Sequence, residues 1–168
     1  MGRAFHDPRD FAFVGALEAA FGEVLAELNA LEGSAFVPSP DSLTTVTDQY
    51  DETGWLYFDL HGGDQAPANR DRCPLTVRAV DAIPGLVNAG FSLLRPGTRL
   101  YPHRGELTDV LRCHLPLRVP AGDLGLRVEG EDRTWERGRC LVFDDTLEHV
   151  AWNHGTSDRV VLLVTFQP

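Results

Sequence analysis

Apolar residues near the start of the chain recur at helical spacing. Across residues 10–31 they stand three or four positions apart, the pattern of an amphipathic helix. Asp7-Pro8 is a suitable entry to such a helix and Glu32-Gly33 a suitable end. The spacing predicts one helix that packs on the outside of a sheet.

Residues 33–53 follow without sustained periodicity. They are rich in Ser, Pro, Thr and Asp, a composition typical of loops. Two interpretations stay open for this segment. It is either a plain connector or a flap at the entrance of a site, where loops often contact substrate.

From Trp55 onwards the pattern indicates short strands. Trp55–His61 alternates in strand fashion, and residues 75–83 predict a short helix closed by Pro84-Gly85. Turn residues separate the later apolar runs. Many short, closely spaced strands favour a barrel or jelly roll over an open sheet. Further strands are predicted at 87–94, 99–103, 109–119, 125–130, 133–135, 140–144, 149–153 and 159–166.

A length of 168 residues suits one buried core. We predict a single domain over 1–168, with a helix and loop in 1–53 and a β core in 54–168. The apolar runs are too short for a membrane span, and the first residues have no signal-peptide core. A cytoplasmic protein with no membrane partner is therefore expected.

The charge balance restricts the partners. With 15 basic and 25 acidic residues the net charge is −10, which would repel nucleic acid and anionic membranes. A small anion could still bind to a few buried arginines. No feature of the sequence indicates an oligomeric state.

The three cysteines, Cys73, Cys113 and Cys140, fit neither a disulfide framework nor a zinc pattern, because their number is odd and their spacing wide. We predict that they are small buried hydrophobic residues in a reducing compartment.

Two of the six histidines stand out as candidate metal ligands. His103 ends a predicted strand before a turn, and His149 begins another, so each lies at a sheet rim. A lone histidine in a strand is more often a core residue with satisfied hydrogen bonds than a metal ligand. Two imidazoles with open positions suit Fe(II), Cu or Zn, and Fe(II) oxygenases often add a carboxylate. Here the second residue after His103 is Gly105, which has no side chain to ligate.

Three further residues suggest an anion site. Arg159 opens an apolar strand, and a buried arginine requires an anion such as a bidentate carboxylate. Arg112 and His114 alternate on one strand and therefore face the same side. That side is either the interior of the barrel or a polar face exposed to solvent.

Several motifs in order along the chain resemble a known family. Over residues 54–168 the sequence resembles the aspartyl/asparaginyl β-hydroxylases, which are Fe(II)- and 2-oxoglutarate-dependent oxygenases. The motifs are Ser92 with Pro96-Gly97-Thr98, Pro102-His103-Arg104-Gly105, Leu111-Arg112-Cys113-His114-Leu115, Trp135-Glu136-Arg137-Gly138, and the run from Phe143 to Asn153 that contains Asp144, Asp145 and His149.

This resemblance implies a fold and a ligand set. The fold would be mainly β, a double-stranded β-helix (jelly roll, cupin-like) with N-terminal helices outside, and the chain a single oxygenase domain. His103 and His149 would bind Fe(II), with glycine at 105 as in the family's two-histidine pattern. The residues implied in binding 2-oxoglutarate are Arg159 and Ser92, which hold its distal carboxylate, and Arg112, His114 and Trp55, which line the same pocket.

The chemistry implied is hydroxylation of an unactivated C–H bond. O2 and 2-oxoglutarate would be consumed, and the substrate would be an amino acid or a short peptide residue, hydroxylated at the β-carbon. Asp144 and Asp145 are candidates for orienting the imidazoles from a second shell, or for capping and turn roles.

Two alternatives stay open. One is a cupin-like metal-binding protein or sensor without 2-oxoglutarate turnover, although such a protein would not need Arg159 as an anion clamp. The other is a halogenase, because Gly105 would leave room for a halide.

Overall fold

A computed structural model of the chain describes residues 2–40 and 54–168. Its α-helices are α1 (Val14–Ala19), α2 (Phe21–Ala30), α3 (Ala66–Asn69) and α4 (Pro74–Asp81), and short 3₁₀ turns lie at Pro8–Asp10, Gly33–Ala35 and Arg70–Arg72. The strands are β1 (Phe5–His6), β2 (Val37–Pro38), β3 (Trp55–His61), β4 (Leu86–Leu94), β5 (Thr98–Arg99), β6 (Leu111–Arg118), β7 (Leu124–Val128), β8 (Glu131–Arg133), β9 (Leu141–Phe143), β10 (His149–Asn153) and β11 (Arg159–Phe166).

The strands form two antiparallel sheets. A seven-stranded sheet has the order β1-β9-β6-β11-β4-β3-β2, and a four-stranded sheet has the order β5-β10-β7-β8. From β4 onwards the chain alternates between the sheets, except that β7 and β8 form a hairpin within the smaller one. This is the topology of a double-stranded β-helix, a mainly β jelly roll of the cupin-like kind, as predicted.

Each face of the larger sheet packs against a different layer. Residues that alternate along its strands point to opposite faces. One face packs on the helices, and its fully buried members include Phe91, Leu115 and Leu162. The other face meets the smaller sheet, where Trp55 and Phe143 are buried. The helices thus lie outside the β-helix, and polar residues that share a face with Trp55 are directed between the sheets.

The N-terminal helix is divided into two. One helix was predicted over 10–31, but α1 ends and α2 begins at Ala20, where ψ is 0°. Both helices still bury one apolar face, through Val14, Leu17, Val24 and Leu28. The entry at Asp7 forms as a 3₁₀ turn, with the Asp7 side chain accepting a hydrogen bond from the Arg9 amide.

The strand predictions succeed best where apolar alternation is long. The predicted limits of β3, β10 and β11 match the structure. By contrast, β5 is confined to Thr98–Arg99, and β8 lies at Glu131–Arg133 rather than at 133–135. Both segments are short and polar, so the hydrophobic periodicity does not define where these strands begin and end.

The N-terminal segment contributes strands as well as helices. β1 pairs with β9 and β2 with β3, so the larger sheet includes residues that were predicted as helix and loop. Of the loop predicted at 33–53, residues 33–40 contain a 3₁₀ turn and β2, and residues 41–53 lie outside the described part. None of the described helices combines the length and the apolar character needed to cross a bilayer.

All three cysteines are buried free thiols. Burial, together with the nearby Glu27 carboxylate, raises the pKa of Cys73 to about 12. The pKa of Cys113 is raised well above its usual range by contact with Cys140 and by burial. The prediction of small buried hydrophobic residues is confirmed.

We therefore expect Cys73 and Cys113 to be unreactive in the native protein. Because the thiolate is the reacting form, a thiol-specific reagent at mildly alkaline pH should modify them more than about 100-fold more slowly than in denaturant. Peptide mass spectrometry of the labelled protein resolves the three sites. Equal labelling rates for Cys113 in native and unfolded protein would contradict this description of the core.

Candidate functional site

A backbone bridge brings the two candidate metal ligands together. His103 and His149 form an isolated antiparallel bridge, in which each amide donates to the other's carbonyl at 3.0 and 2.9 Å. Side chains of such a pair emerge on the same face. The imidazole centroids are consequently 4.3 Å apart, at the end of the smaller sheet.

Both imidazoles are oriented in the same way. Nδ1 of His103 lies 2.7 Å from the carbonyl oxygen of Tyr101, and Nδ1 of His149 lies 2.8 Å from that of Leu147. A carbonyl only accepts, so each Nδ1 carries the proton and each Nε2 keeps its lone pair. Burial and the neighbouring His103 also lower the pKa of His149 to about 3. A neutral imidazole that is protonated at Nδ1 is the form that binds a metal through Nε2.

The donor set fits a two-histidine metal site. In residues 2–40 and 54–168 no group of three or more His, Cys, Asp or Glu side chains could surround a metal ion. A metal held by His103 and His149 would complete its coordination with small molecules. Fe(II), Cu and Zn accept imidazole ligands, and Fe(II) suits sites with several open positions.

Of the two roles considered for Asp144 and Asp145, the second-shell role is corrected by the structure, and the turn role is the one that Asp144 takes. Backbone carbonyls orient the imidazoles instead. The Asp144 carboxylate closes a turn, accepting from the Thr146 amide at 3.0 Å and its hydroxyl at 2.6 Å. Asp145 is buried and pairs with Arg112 Nη2 at 2.9 Å.

Asp145 also explains why residue 105 is glycine. A Cβ placed on Gly105 would lie 2.6 Å from Oδ2 of Asp145 and 2.9 Å from its Cγ. The space for a side chain at position 105 is therefore taken by a carboxylate from the loop before β10. The Gly105 amide reinforces this contact with a 2.7 Å hydrogen bond to the Asp145 carbonyl.

Arg159 is a buried cation. It is the first residue of β11, and only 2% of its surface is exposed. Nη2 reaches Ser92 at 3.3 Å to Oγ and 3.4 Å to the carbonyl oxygen, and Trp55 Nε1 donates to the same Oγ at 3.0 Å. Within the described residues no carboxylate pairs with the guanidinium. Burial lowers the pKa of Arg159 to about 9, since the charge lacks solvation.

Arg112 and His114 face the space between the sheets, the first of the two alternatives considered from the sequence. Both are buried on β6, with relative exposures of 8% and 5%. Burial, with Arg159 and Arg112 nearby, lowers the pKa of His114 well below its usual range, so the imidazole is neutral. The indole Nε1 of Trp135 donates to His114 Nδ1 at 3.1 Å. The sequence patterns did not identify this partner of His114.

The two candidate metal ligands and the buried residues Arg159, Arg112 and His114 line one small cavity, which lies beside a larger groove. The cavity measures about 20 Å³, room for about one water molecule. The groove measures about 500 Å³ and shares Trp55, Arg112 and Leu163 with the cavity. A larger ligand at the imidazoles would require the lining side chains to move apart. The cavity is lined by Trp55, Ser92, Leu100, His103, Arg112, His114, Leu126, Phe143, His149, Ala151, Arg159 and Leu163.

Comparison with known sequences identifies relatives over nearly the whole chain. The family model described as aspartyl/asparaginyl beta-hydroxylase matches residues 18–168. An ornithine lipid ester-linked acyl 2-hydroxylase of Rhizobium tropici is 39% identical over 166 residues, which cover 96% of this chain and 59% of that protein. The aspartyl/asparaginyl beta-hydroxylase of Homo sapiens is 31% identical over 150 residues, 84% of this chain and 19% of the human protein.

The chain thus spans less than two thirds of the length of either relative. Among solved structures, the plu4264 protein from Photorhabdus luminescens aligns with a TM-score of 0.50 at 11% identity, over 81% of this chain and 83% of that one. At this identity the likeness concerns the fold alone.

Substitution of Gly105 by alanine tests the packing of the site. The added Cβ must displace the Asp145 carboxylate, so Gly105→Ala should lower the free energy of unfolding by about 1–3 kcal/mol. Chemical denaturation measures the change.

Gly22→Ala is the matched control. A Cβ there meets nothing within 4 Å, and the position lies in α2. Its stability should be unchanged or slightly raised, because alanine favours helix over glycine. Equal unfolding free energies for Gly105→Ala and the unsubstituted protein would show that Asp145 does not restrict position 105.

Proposed function

Since the chain belongs to the aspartyl/asparaginyl β-hydroxylase family, a family of hydroxylases, we propose that it is an Fe(II)- and 2-oxoglutarate-dependent dioxygenase. Its substrate would be an amino acid or a residue of a short peptide. The hydroxylated position would be an unactivated C–H bond at the β-carbon. A cytoplasmic location is part of the proposal and agrees with the three free thiols.

The buried guanidinium of Arg159 carries this proposal. A buried arginine is stabilised by an anion, and no described carboxylate serves it. The Ser92 hydroxyl accepts from Trp55 and Arg159 and therefore retains its own proton to donate. Together Arg159 and Ser92 offer donors to one carboxylate in the cavity that also contains the histidine pair. A dicarboxylate anchored at Arg159 could thus reach a metal at the imidazoles.

The reaction would convert a C–H bond, O2 and 2-oxoglutarate into the alcohol, succinate and CO2. A bound Fe(II) would supply the activation of O2, which no side chain can provide. His103 and His149 would hold the metal through Nε2. Arg159 and Ser92 would fix the distal carboxylate, while Arg112, His114 and Trp55 would surround the remainder of the cosubstrate.

The groove beside the cavity is the proposed entry for the substrate. It meets the cavity at Arg112, Trp55 and Leu163, so a molecule in the groove could present a carbon toward the metal. The Rhizobium tropici relative is named as acting on an ester-linked acyl chain of ornithine lipid. An acyl-lipid substrate is therefore a second candidate beside an amino acid or peptide.

Two features favour the hydroxylase over the alternatives. A metal-binding cupin or sensor without 2-oxoglutarate turnover gives Arg159 no role, yet the arginine is buried at the cavity. A halogenase would place a halide beside Gly105, where the Asp145 carboxylate already occupies the space.

Anaerobic titration with Fe(II) and 2-oxoglutarate is the first test. We expect the weak visible charge-transfer band of the metal chelate under anaerobic conditions. After O2 is admitted, we expect succinate release coupled to hydroxylation of an amino acid, a peptide or ornithine lipid. Iron binding without that band would favour the cupin or sensor interpretation.

Single substitutions should separate the two binding functions. His103→Ala and His149→Ala should abolish iron binding, whereas His154→Ala, at an exposed histidine paired with Asp123, should not. Equilibrium dialysis of Fe(II) under anaerobic conditions measures this. Unchanged iron affinity in His149→Ala would refute the ligand assignment.

Arg159→Ala should weaken 2-oxoglutarate binding by about 100-fold and leave iron binding intact, because a buried charge partner is lost. Isothermal titration of the metal-loaded protein measures the affinity. The matched control is Arg118→Ala, at a surface arginine that contacts Asn29. Retained 2-oxoglutarate affinity in Arg159→Ala would overturn the anion clamp.

A further inference from the structure

Trp135 contacts two of the polar residues that line the cavity, His114 and Arg159. It is 3% exposed and follows β8. Its Nε1 points to Nδ1 of His114 at 3.1 Å, and the planes of the two rings are 24° apart, so the rings meet edge to edge. The Arg159 guanidinium carbon lies 4.6 Å from the Trp135 ring centroid. One side chain therefore contacts two of the residues that are proposed to bind 2-oxoglutarate.

The indole determines which nitrogen of His114 carries the proton. An indole N–H only donates, so His114 Nδ1 must accept and the neutral imidazole is protonated at Nε2. Nε2 is buried, and no group in the described part of the chain forms a hydrogen bond with it. Because His114 lines the cavity, the free N–H is available there to a bound ligand.

This tautomer is the opposite of that in the two candidate metal ligands. In His103 and His149 the backbone carbonyls keep the proton on Nδ1. The cavity is thus lined by two imidazoles protonated at Nδ1 and by one protonated at Nε2. An imidazole protonated at Nε2 cannot bind a metal through that nitrogen.

We propose that Trp135 is a positioning residue that holds His114 in the Nε2–H tautomer, so that His114 serves as a hydrogen-bond donor to an oxygen of the cosubstrate and not as a third metal ligand. The same indole supports the Arg159 guanidinium through its ring face. That the acceptor is an oxygen of the cosubstrate rests on the proposed function, whereas the tautomer of His114 is a property of the protein alone.

NMR of the metal-free protein tests the tautomer directly. Two-bond ¹H–¹⁵N correlations of protein labelled on histidine nitrogens distinguish the tautomers, and His114→Asn identifies the signals. We expect His114 to be protonated at Nε2 in the unsubstituted protein. In Trp135→Phe, which keeps a ring but lacks the N–H, the proton should redistribute between the two nitrogens.

Affinity for 2-oxoglutarate tests the consequence. Trp135→Phe should weaken binding to the metal-loaded protein by about tenfold, the effect of one lost buried hydrogen bond to a charged ligand. Iron affinity should not fall, since the proposed ligands His103 and His149 are unchanged in this variant. Zn(II) titration with NMR detection shows whether His114 shifts together with His103 and His149.

Trp152→Phe is the matched control. Trp152 has the same pair of contacts outside the cavity, an Nε1 donor bond to Asp123 at 2.8 Å and Arg99 over its ring at 5.2 Å. Its substitution should change neither the His114 tautomer nor the 2-oxoglutarate affinity.

Two results would overturn the proposal. One is a proton on Nδ1 of His114 in the unsubstituted protein, which requires no variant and so is independent of how Trp135→Phe folds. The other is a Trp135→Phe protein with the Nε2–H tautomer intact and affinity within about twofold of the original. If the unsubstituted protein binds no 2-oxoglutarate, the proposed function fails, and the NMR result alone decides the role of Trp135.

Discussion

The reciprocal backbone hydrogen bonds between His103 and His149 are the interaction on which the site depends. They join the segment after β5 to the first residue of β10, although the two histidines are far apart in sequence. The bridge fixes the separation of the imidazoles, and the carbonyls two residues before each histidine fix their rotation. The geometry of the proposed metal site is thus prepared by main-chain atoms, which mutation of side chains does not easily disturb.

Around this pair, hydrogen-bond partners give similar residues different properties. Histidines beside a carbonyl present a lone pair to the cavity, whereas the histidine beside an indole presents a proton. The two buried arginines also differ in their partners. Arg112 is neutralised by Asp145, while Arg159 has only neutral contacts among the described residues. An incoming carboxylate therefore finds its strongest unsatisfied charge at Arg159.

Strand alternation made much of this predictable. Long apolar runs defined β3, β10 and β11, and the period of two placed Arg112 and His114 on one side of β6. Turn residues marked the boundaries, so the jelly roll could be expected before any coordinates. Arg159 could be expected to be buried because it begins an uninterrupted apolar strand.

Other features depend on contacts between distant segments and have no local signal. The contact between Trp135 and His114 arises only when the segment after β8 lies against β6. The pairing of Asp145 with Arg112 is equally non-local, so the two aspartates looked alike in sequence. The break at Ala20 was invisible because both halves of the helix preserve the same apolar spacing.

The close approach of Gly105 and Asp145 links two positions that are forty residues apart in sequence. Neither can change freely during evolution while the other stays as it is. A lineage that acquires a side chain at position 105 should replace Asp145 with a smaller residue, either beforehand or at the same time. Arg112 would then lose its partner as well. The two residues are therefore expected to covary, and that covariation would separate chains with a two-histidine centre from chains that bind metal with a third side chain.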